Sequence, residues 1–212
     1  MIDERVVETP RGSGRLVQRR PPSPWATLVL GHGAGGGIDA PDLDRLFWSL
    51  PREGITVALV EQPWRYAGKR VAPAPAVLDE GFHAIVSRLR ARTPMVVGGR
   101  SAGARVAART GRGLGAVGVL ALAYPLHPPS APHKSRLDDL TSSRLPSLVL
   151  QGTRDAFGAP QAFPREANVV PIHDADHGFA VPKRSGTTQE QALDLVVLAA
   201  LGWMQSLVGG RR

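Results

Sequence analysis

Cysteine is absent from the 212 residues, which excludes disulfides, thiolate metal sites and cysteine nucleophiles and leaves the redox state of the compartment undetermined. Any covalent catalysis must therefore use another side chain. Lysine is scarce, occurring only at Lys69, Lys134 and Lys183, so arginine carries most of the net charge of +8. The arginines are spread along the chain, whereas a polyanion site needs clustered cations. The reading is a solvated basic surface, with nucleic acid not expected as a partner. No uninterrupted apolar stretch approaches the roughly 18 residues of a membrane span, and the longest, Ala192 to Leu201, is broken by Asp194. The opening MIDERVVETPRGSGR lacks a basic segment leading into an apolar one. The expectation is a cytoplasmic protein with no membrane contact.

What is present is ordinary for a globular chain: 42% hydrophobic and 21% charged residues, at a length that suits one domain over residues 1–212. Apolar, β-branched runs alternate with helical patterns, the signature of a parallel sheet covered on both faces. Strands are expected at Thr27 to His32, Thr56 to Val60, Met95 to Gly98, Val117 to Ala123, Ser147 to Gln151 and Asn168 to Ile172, and a hairpin at the sheet edge within the first 20 residues. Helices are expected over Leu43 to Leu50, through Leu78, Phe82, Ile85 and Leu89, and over Ala102 to Arg109. A last helix starts near Thr187, with Glu190 completing a capping box, and stops at Gly209-Gly210. The fold class is α/β: a mostly parallel, doubly wound sheet.

Gly99-Arg100-Ser101-Ala102-Gly103 matches G-x-S-x-G, in which a sharp strand-to-helix turn exposes the serine while the glycines let neighbouring backbone pass closely. The competing reading is a serine capping the helix that follows. A serine hydroxyl is a poor nucleophile until a base removes its proton, so a histidine and an orienting carboxylate are required, in the chain order serine, acid, histidine. Asp155 follows the strand ending at Gln151, at the strand end where open α/β sheets assemble their sites. Asp138 and Asp139 are rivals that no strand presents. His177, in Asp174-Ala175-Asp176-His177-Gly178-Phe179 after the last strand, is the expected base, and His173 is the alternative. The oxyanion donors are the amide of Ala102 and one from His32-Gly33-Ala34-Gly35-Gly36-Gly37, with Ala34 the first choice and Gly35 the second, also a position beside the substrate. His127 lies in a loop where it would line the site. The segment Gln62 to Ala76 is expected to form the rim, with Trp64 and Tyr66 offering apolar contact and Arg65, Lys69 and Arg70 positive charge.

HGAGGG, GGRSAGAR, YPLHPP (Tyr124 to Pro129), LQGTRDAFG (Leu150 to Gly158) and DADHGF (Asp174 to Phe179) together resemble, in order and spacing, the α/β-hydrolase superfamily, and within it a small dienelactone-hydrolase-like branch that includes testis-expressed protein 30. The resemblance covers nearly the whole chain. It implies the α/β-hydrolase fold and places the three catalytic positions on Ser101, Asp155 and His177, without implying a substrate. A dienelactone hydrolase proper uses a cysteine nucleophile, which this chain lacks, so that activity does not carry over. Only Leu126 to Leu145 separates two core strands where many lipases insert a helical cap, so no lid domain is expected.

The sequence therefore reads as a serine hydrolase acting on an ester or related small-molecule acyl compound, without metal or cofactor. A thioesterase or peptidase would use the same triad, and a hydrolase fold kept as a binding or scaffold protein is the alternative of a different class.

Overall fold

The computed structural model describes residues 2–209. Their strands form one eight-stranded sheet in the order β1-β2-β4-β3-β5-β6-β7-β8. β1 (Ile2–Thr9) and β2 (Gly12–Arg19) form the expected edge hairpin, turning through Pro10 and Arg11 with Gly12 at φ 101. β2 pairs antiparallel with β4 (Ile55–Glu61). Beyond it, β3 (Ala26–Gly31), β5 (Met95–Arg100), β6 (Gly118–Leu122), β7 (Ser147–Gly152) and β8 (Val169–Ile172) continue the sheet in parallel.

Side-chain alternation sorts the core into two layers. Leu28 and Leu30 of β3 and Leu120 and Leu122 of β6 face a cluster completed by α1 (Pro41–Ser49) and α6 (Gln189–Gly209). Val29, Val119 and Ala121 face the opposite cluster, completed by α3 (Pro75–Val86) and α4 (Ala102–Thr110). Burial on both faces explains why β3, β4 and β6 are nearly continuous apolar runs rather than alternating ones. α6 is long and apolar enough by composition to cross a membrane. In the fold one of its stripes, Ala192, Val196, Ala200 and Met204, is buried against the sheet cluster.

Three local expectations need correction. The helix with Leu78, Phe82 and Ile85 ends at Val86, where the Ser87 hydroxyl and amide both donate to the His83 carbonyl. Leu89 lies past that end but still packs on the same cluster, so its spacing mimicked another helical turn. The capping box of α6 joins Thr188 and Gln191, through Thr188 N–H to Gln191 Oε1 at 2.8 Å and Gln191 N–H to Thr188 Oγ1 at 3.2 Å, and not Thr187 and Glu190. Gly210, half of the expected stop, lies outside the described residues. Two stretches outside the expected helices hold short ones, α2 (Pro63–Tyr66) and α5 (Leu137–Thr141). α5 is the one helix in the connection between β6 and β7, so no cap domain arises there.

Where β3 ends, His32 locks the start of the glycine-rich loop. It is buried, its ring packs tilted against Trp64 at 5.6 Å, and its Nε2 accepts from the Gln62 amide at 3.1 Å. That leaves the proton on Nδ1, which donates to the Gly33 carbonyl at 2.8 Å. Burial, the largest influence, lowers the imidazole below its ordinary range. The unfolded chain therefore takes up a proton below about pH 6.5 that the folded chain refuses, and stability falls as pH drops through that range. His32→Ala should cost about 2–3 kcal/mol in urea unfolding at about pH 8, from two buried hydrogen bonds and ring packing. By about pH 5 the gap should narrow, because the wild type has then lost the advantage of a neutral imidazole. A gap of constant size would contradict a neutral, buried His32.

Candidate active site

The parallel strands β3, β5 and β7 direct their C-terminal ends to one edge, and each leads into a segment of the site. β5 turns into α4 at a single residue, Ser101, held at φ 52 and ψ −112. A non-glycine residue in that region is strained, and such strain gathers at functional positions. The turn is tight because the backbones nearly touch: a Cβ on Gly103 would lie 2.4 Å from the Gly31 carbonyl oxygen, and one on Gly99 2.5 Å from the same atom. The Ser101 amide donates to the Leu122 carbonyl of β6 at 2.9 Å. Its hydroxyl makes no capping bond to α4, so the serine is not an N-cap in the side-chain sense.

The hydroxyl instead meets His177. Ser101 Oγ and His177 Nε2 are 2.9 Å apart, and His177 Nδ1 lies 2.8 Å from Oδ2 and 3.0 Å from Oδ1 of Asp155. Asp155 is 4% exposed. Its Oδ1 accepts from the Phe157 amide at 2.8 Å and its Oδ2 from the Gln151 side chain at 2.9 Å. A carboxylate with its oxygens spoken for in this way has little freedom to turn, so it fixes which imidazole nitrogen carries the proton. The three residues singled out from the sequence are thus in one hydrogen-bonded line, and the serine is half-buried at its open end.

The His177 segment is shaped by its own carboxylate. Asp176 Oδ1 accepts from the Gly178 amide at 2.7 Å and the Ala180 amide at 2.9 Å, a local turn of the kind aspartate favours. His173, the alternative base, is exposed at the end of β8, with no bond to Ser101 or Asp155. Asp138 is exposed, and Asp139 accepts from Arg105 and Arg109 of α4, so neither rival carboxylate reaches the histidine.

Gly33 lies beside the serine, where an added Cβ would sit 3.5 Å from Ser101 Cβ, and Ala34 and Gly35 follow it as an exposed turn. Ala102 opens α4, so its amide is among the unpaired N–H groups of a helix start. His127 is half-buried next to the acid-bearing loop: its amide donates to the Phe157 carbonyl at 3.0 Å. Trp64 and Tyr66 are not gathered with these residues. Trp64 is 7% exposed and packs on His32, lining a cavity of about 270 Å³ with Gly12, Ser13, Lys69, Val71 and Val77 but none of the line of three. Tyr66 is exposed on α2. The expectation of an apolar rim from Trp64 is corrected accordingly: Pro63 starts a helical turn that tucks the indole inward.

Sequence reasoning missed two residues. Gln151, fully buried at the end of an otherwise apolar strand, donates to Asp155, the Tyr124 carbonyl and the Gly158 carbonyl, and accepts from the Tyr124 amide. Its polarity after SLVL was the available signal. Phe157 stacks on the His177 ring, with centroids 4.2 Å apart and planes at 30°, and nothing local marked it. Among the described residues no group of three or more His, Asp or Glu side chains gathers as a metal site.

Several solved structures share the architecture. One is an a/b serine hydrolase without lid from Xanthomonas campestris, at TM-score 0.74 and 20% identity over 97% of this chain and 94% of that one. Another is a dienelactone hydrolase from Anabaena variabilis, at 0.72 and 17% over 98% of each chain. A third, Est1E from Butyrivibrio proteoclasticus with ferulic acid bound, matches at 0.72 and 13% over 97% and 99%. At these identities the likeness is one of fold. The sequence itself goes further: residues 24–205 match the profile of the alpha/beta hydrolase domain, and the chain belongs to that family.

Proposed function

We propose that the chain is a serine hydrolase that cleaves a carboxylic ester or related acyl bond of a small molecule through an acyl-enzyme on Ser101. The observation that carries this reading is the unbroken line Asp155–His177–Ser101, with the serine hydroxyl spent on the histidine rather than on its helix. His177 Nε2 takes the serine proton as Oγ attacks the acyl carbonyl, then returns it to the leaving group. Water repeats the sequence in reverse to free the acid. Asp155 holds Nδ1–H and stabilises the imidazolium that forms. The amides of Ala102 and Ala34 receive the developing oxyanion, where preorganised donors are worth most. Gly35 and His127 border the acyl group. The step needs no cofactor.

Phe157 fits the same account. Its ring face covers the imidazole that becomes cationic in the transition state, a favourable arrangement for a cation near a π system.

Two outcomes test the reading on a panel of p-nitrophenyl esters of graded acyl length. Ser101→Ala and His177→Ala should abolish turnover, Asp155→Asn should cost about 10⁴-fold in kcat, and His173→Ala should stay near wild type. Loss of activity in His173→Ala with His177→Ala active, both folded, would reverse the assignment. Second, the absence of a cap between β6 and β7 leaves the serine open, so rates should favour short acyl groups and show no jump when substrate passes from monomer to micelle. Marked interfacial activation would contradict an open site, and turnover confined to thioesters or peptides would change the substrate class while keeping the triad.

A further inference from the structure

Arg100, the residue before the serine, brings a charge into the middle of the site that the proposed proton transfer does not use. Its Nε lies 3.1 Å from Oδ1 of Asp42, whose side chain in the first turn of α1 is fully buried. Its Nη2 donates to the backbone carbonyl of His177 at 2.9 Å. Gly178 and Gly33 flank the guanidinium at packing distance: an added Cβ on Gly178 would lie 3.5 Å from Nη2, and one on Gly33 3.9 Å from Nη1, both ordinary van der Waals contacts. One cation thus touches the segment that follows the glycine-rich loop, the elbow and the histidine loop, which arise from three distant parts of the chain.

The pair is poorly explained as a stabilising element. Buried ion pairs are often replaced by apolar residues without loss of stability, because desolvation offsets the attraction. Burial pushes the Asp42 carboxyl upward and Arg100 pulls it back. Neither Asp42 oxygen nor Arg100 Nε makes a well-aligned hydrogen bond, so the contact is mainly one of charge. What the pair supplies is geometry: it orients the guanidinium whose other end grips the carbonyl of the residue that must meet Ser101 Oγ.

We infer that Asp42 and Arg100 form a positioning pair that sets the histidine loop and the glycine-rich loop against Ser101 without touching substrate. The inference rests on the serine-hydrolase reading, and its test separates the two. The rate of Ser101 labelling by a fluorophosphonate is measured for wild type, Arg100→Met, Arg100→Lys, Asp42→Asn and the Asp42→Asn/Arg100→Met double variant, alongside hydrogen exchange of 32–44 and 174–180. Arg100→Met should slow labelling by about 10- to 100-fold, the scale of a small misplacement of reacting groups. Arg100→Lys should recover part of the rate, since it restores the charge facing Asp42 but not the fork that also reaches the His177 carbonyl. The double variant should be no slower than the worse single, because one unit is being removed twice. Exchange should quicken in both segments of Arg100→Met. Folded variants that label within about twofold of wild type, or single losses that multiply, would overturn the pair's role while leaving the hydrolase reading intact. If wild type itself does not label, that reading fails, and exchange decides alone: unchanged protection of both segments in Arg100→Met and Arg100→Lys overturns the positioning role. Should Arg100→Met not fold, Arg100→Lys and Asp42→Asn carry the same comparison.

Discussion

The Gly31 carbonyl sits where Gly99 and Gly103 would each need a Cβ, and this close passage of β3 against the elbow governs the site. Any side chain at either glycine would push the turn away from the sheet. With both bare, β5 reverses into α4 over one strained residue, and Ser101 is held at the sheet's C-terminal edge with its hydroxyl free of the helix. The same contact brings the glycine-rich loop beside the serine, since Gly31 leads through His32 directly into it.

Around that fixed point the remaining segments are tied by buried polar groups. Gln151 ties the acid loop to the Tyr124 backbone and to Asp155, His32 ties the glycine-rich loop to the end of β4, and Arg100 ties the elbow to the histidine loop and Asp42. Each sits at or near a strand end, where the sheet's own hydrogen-bond ladder has run out and side chains must supply the partners. The Gln151 and His32 groups are fully hydrogen-bonded, and satisfied buried networks are stiff; a rigid frame suits an arrangement in which the Ser101–His177 spacing matters to fractions of an ångström.

Much of this was legible in the chain because it depends on local rules. Apolar runs bounded by glycine and proline gave the strands, and Gly-x-Ser-x-Gly between a strand and an alanine-rich segment marked the elbow. Asp155 and His177 stood out as the acid and the histidine that follow successive strand ends. What escaped were features set by distant partners or by ambiguous local choices. Thr187 and Thr188 both begin an acceptable capping box, and spacing alone cannot pick the register. Leu89 continues a helical rhythm after the helix has stopped because it serves the same core cluster. Trp64 looked like a rim residue until its contact with His32, at the end of the neighbouring strand, turned it inward. Gln151 had only its polarity in an apolar strand to mark it, and the contacts of Phe157 with the His177 ring and of Arg100 with Asp42 join residues remote in the chain.

The claim at the centre of the account is that Ser101 is nucleophilic because His177 and Asp155 make it so. The most direct measurement is covalent labelling with a fluorophosphonate followed by peptide mass spectrometry. The account predicts a single adduct on the peptide that carries Ser101, lost in Ser101→Ala and strongly slowed in His177→Ala. An adduct on another serine, or none on the folded chain at mildly alkaline pH, would contradict it.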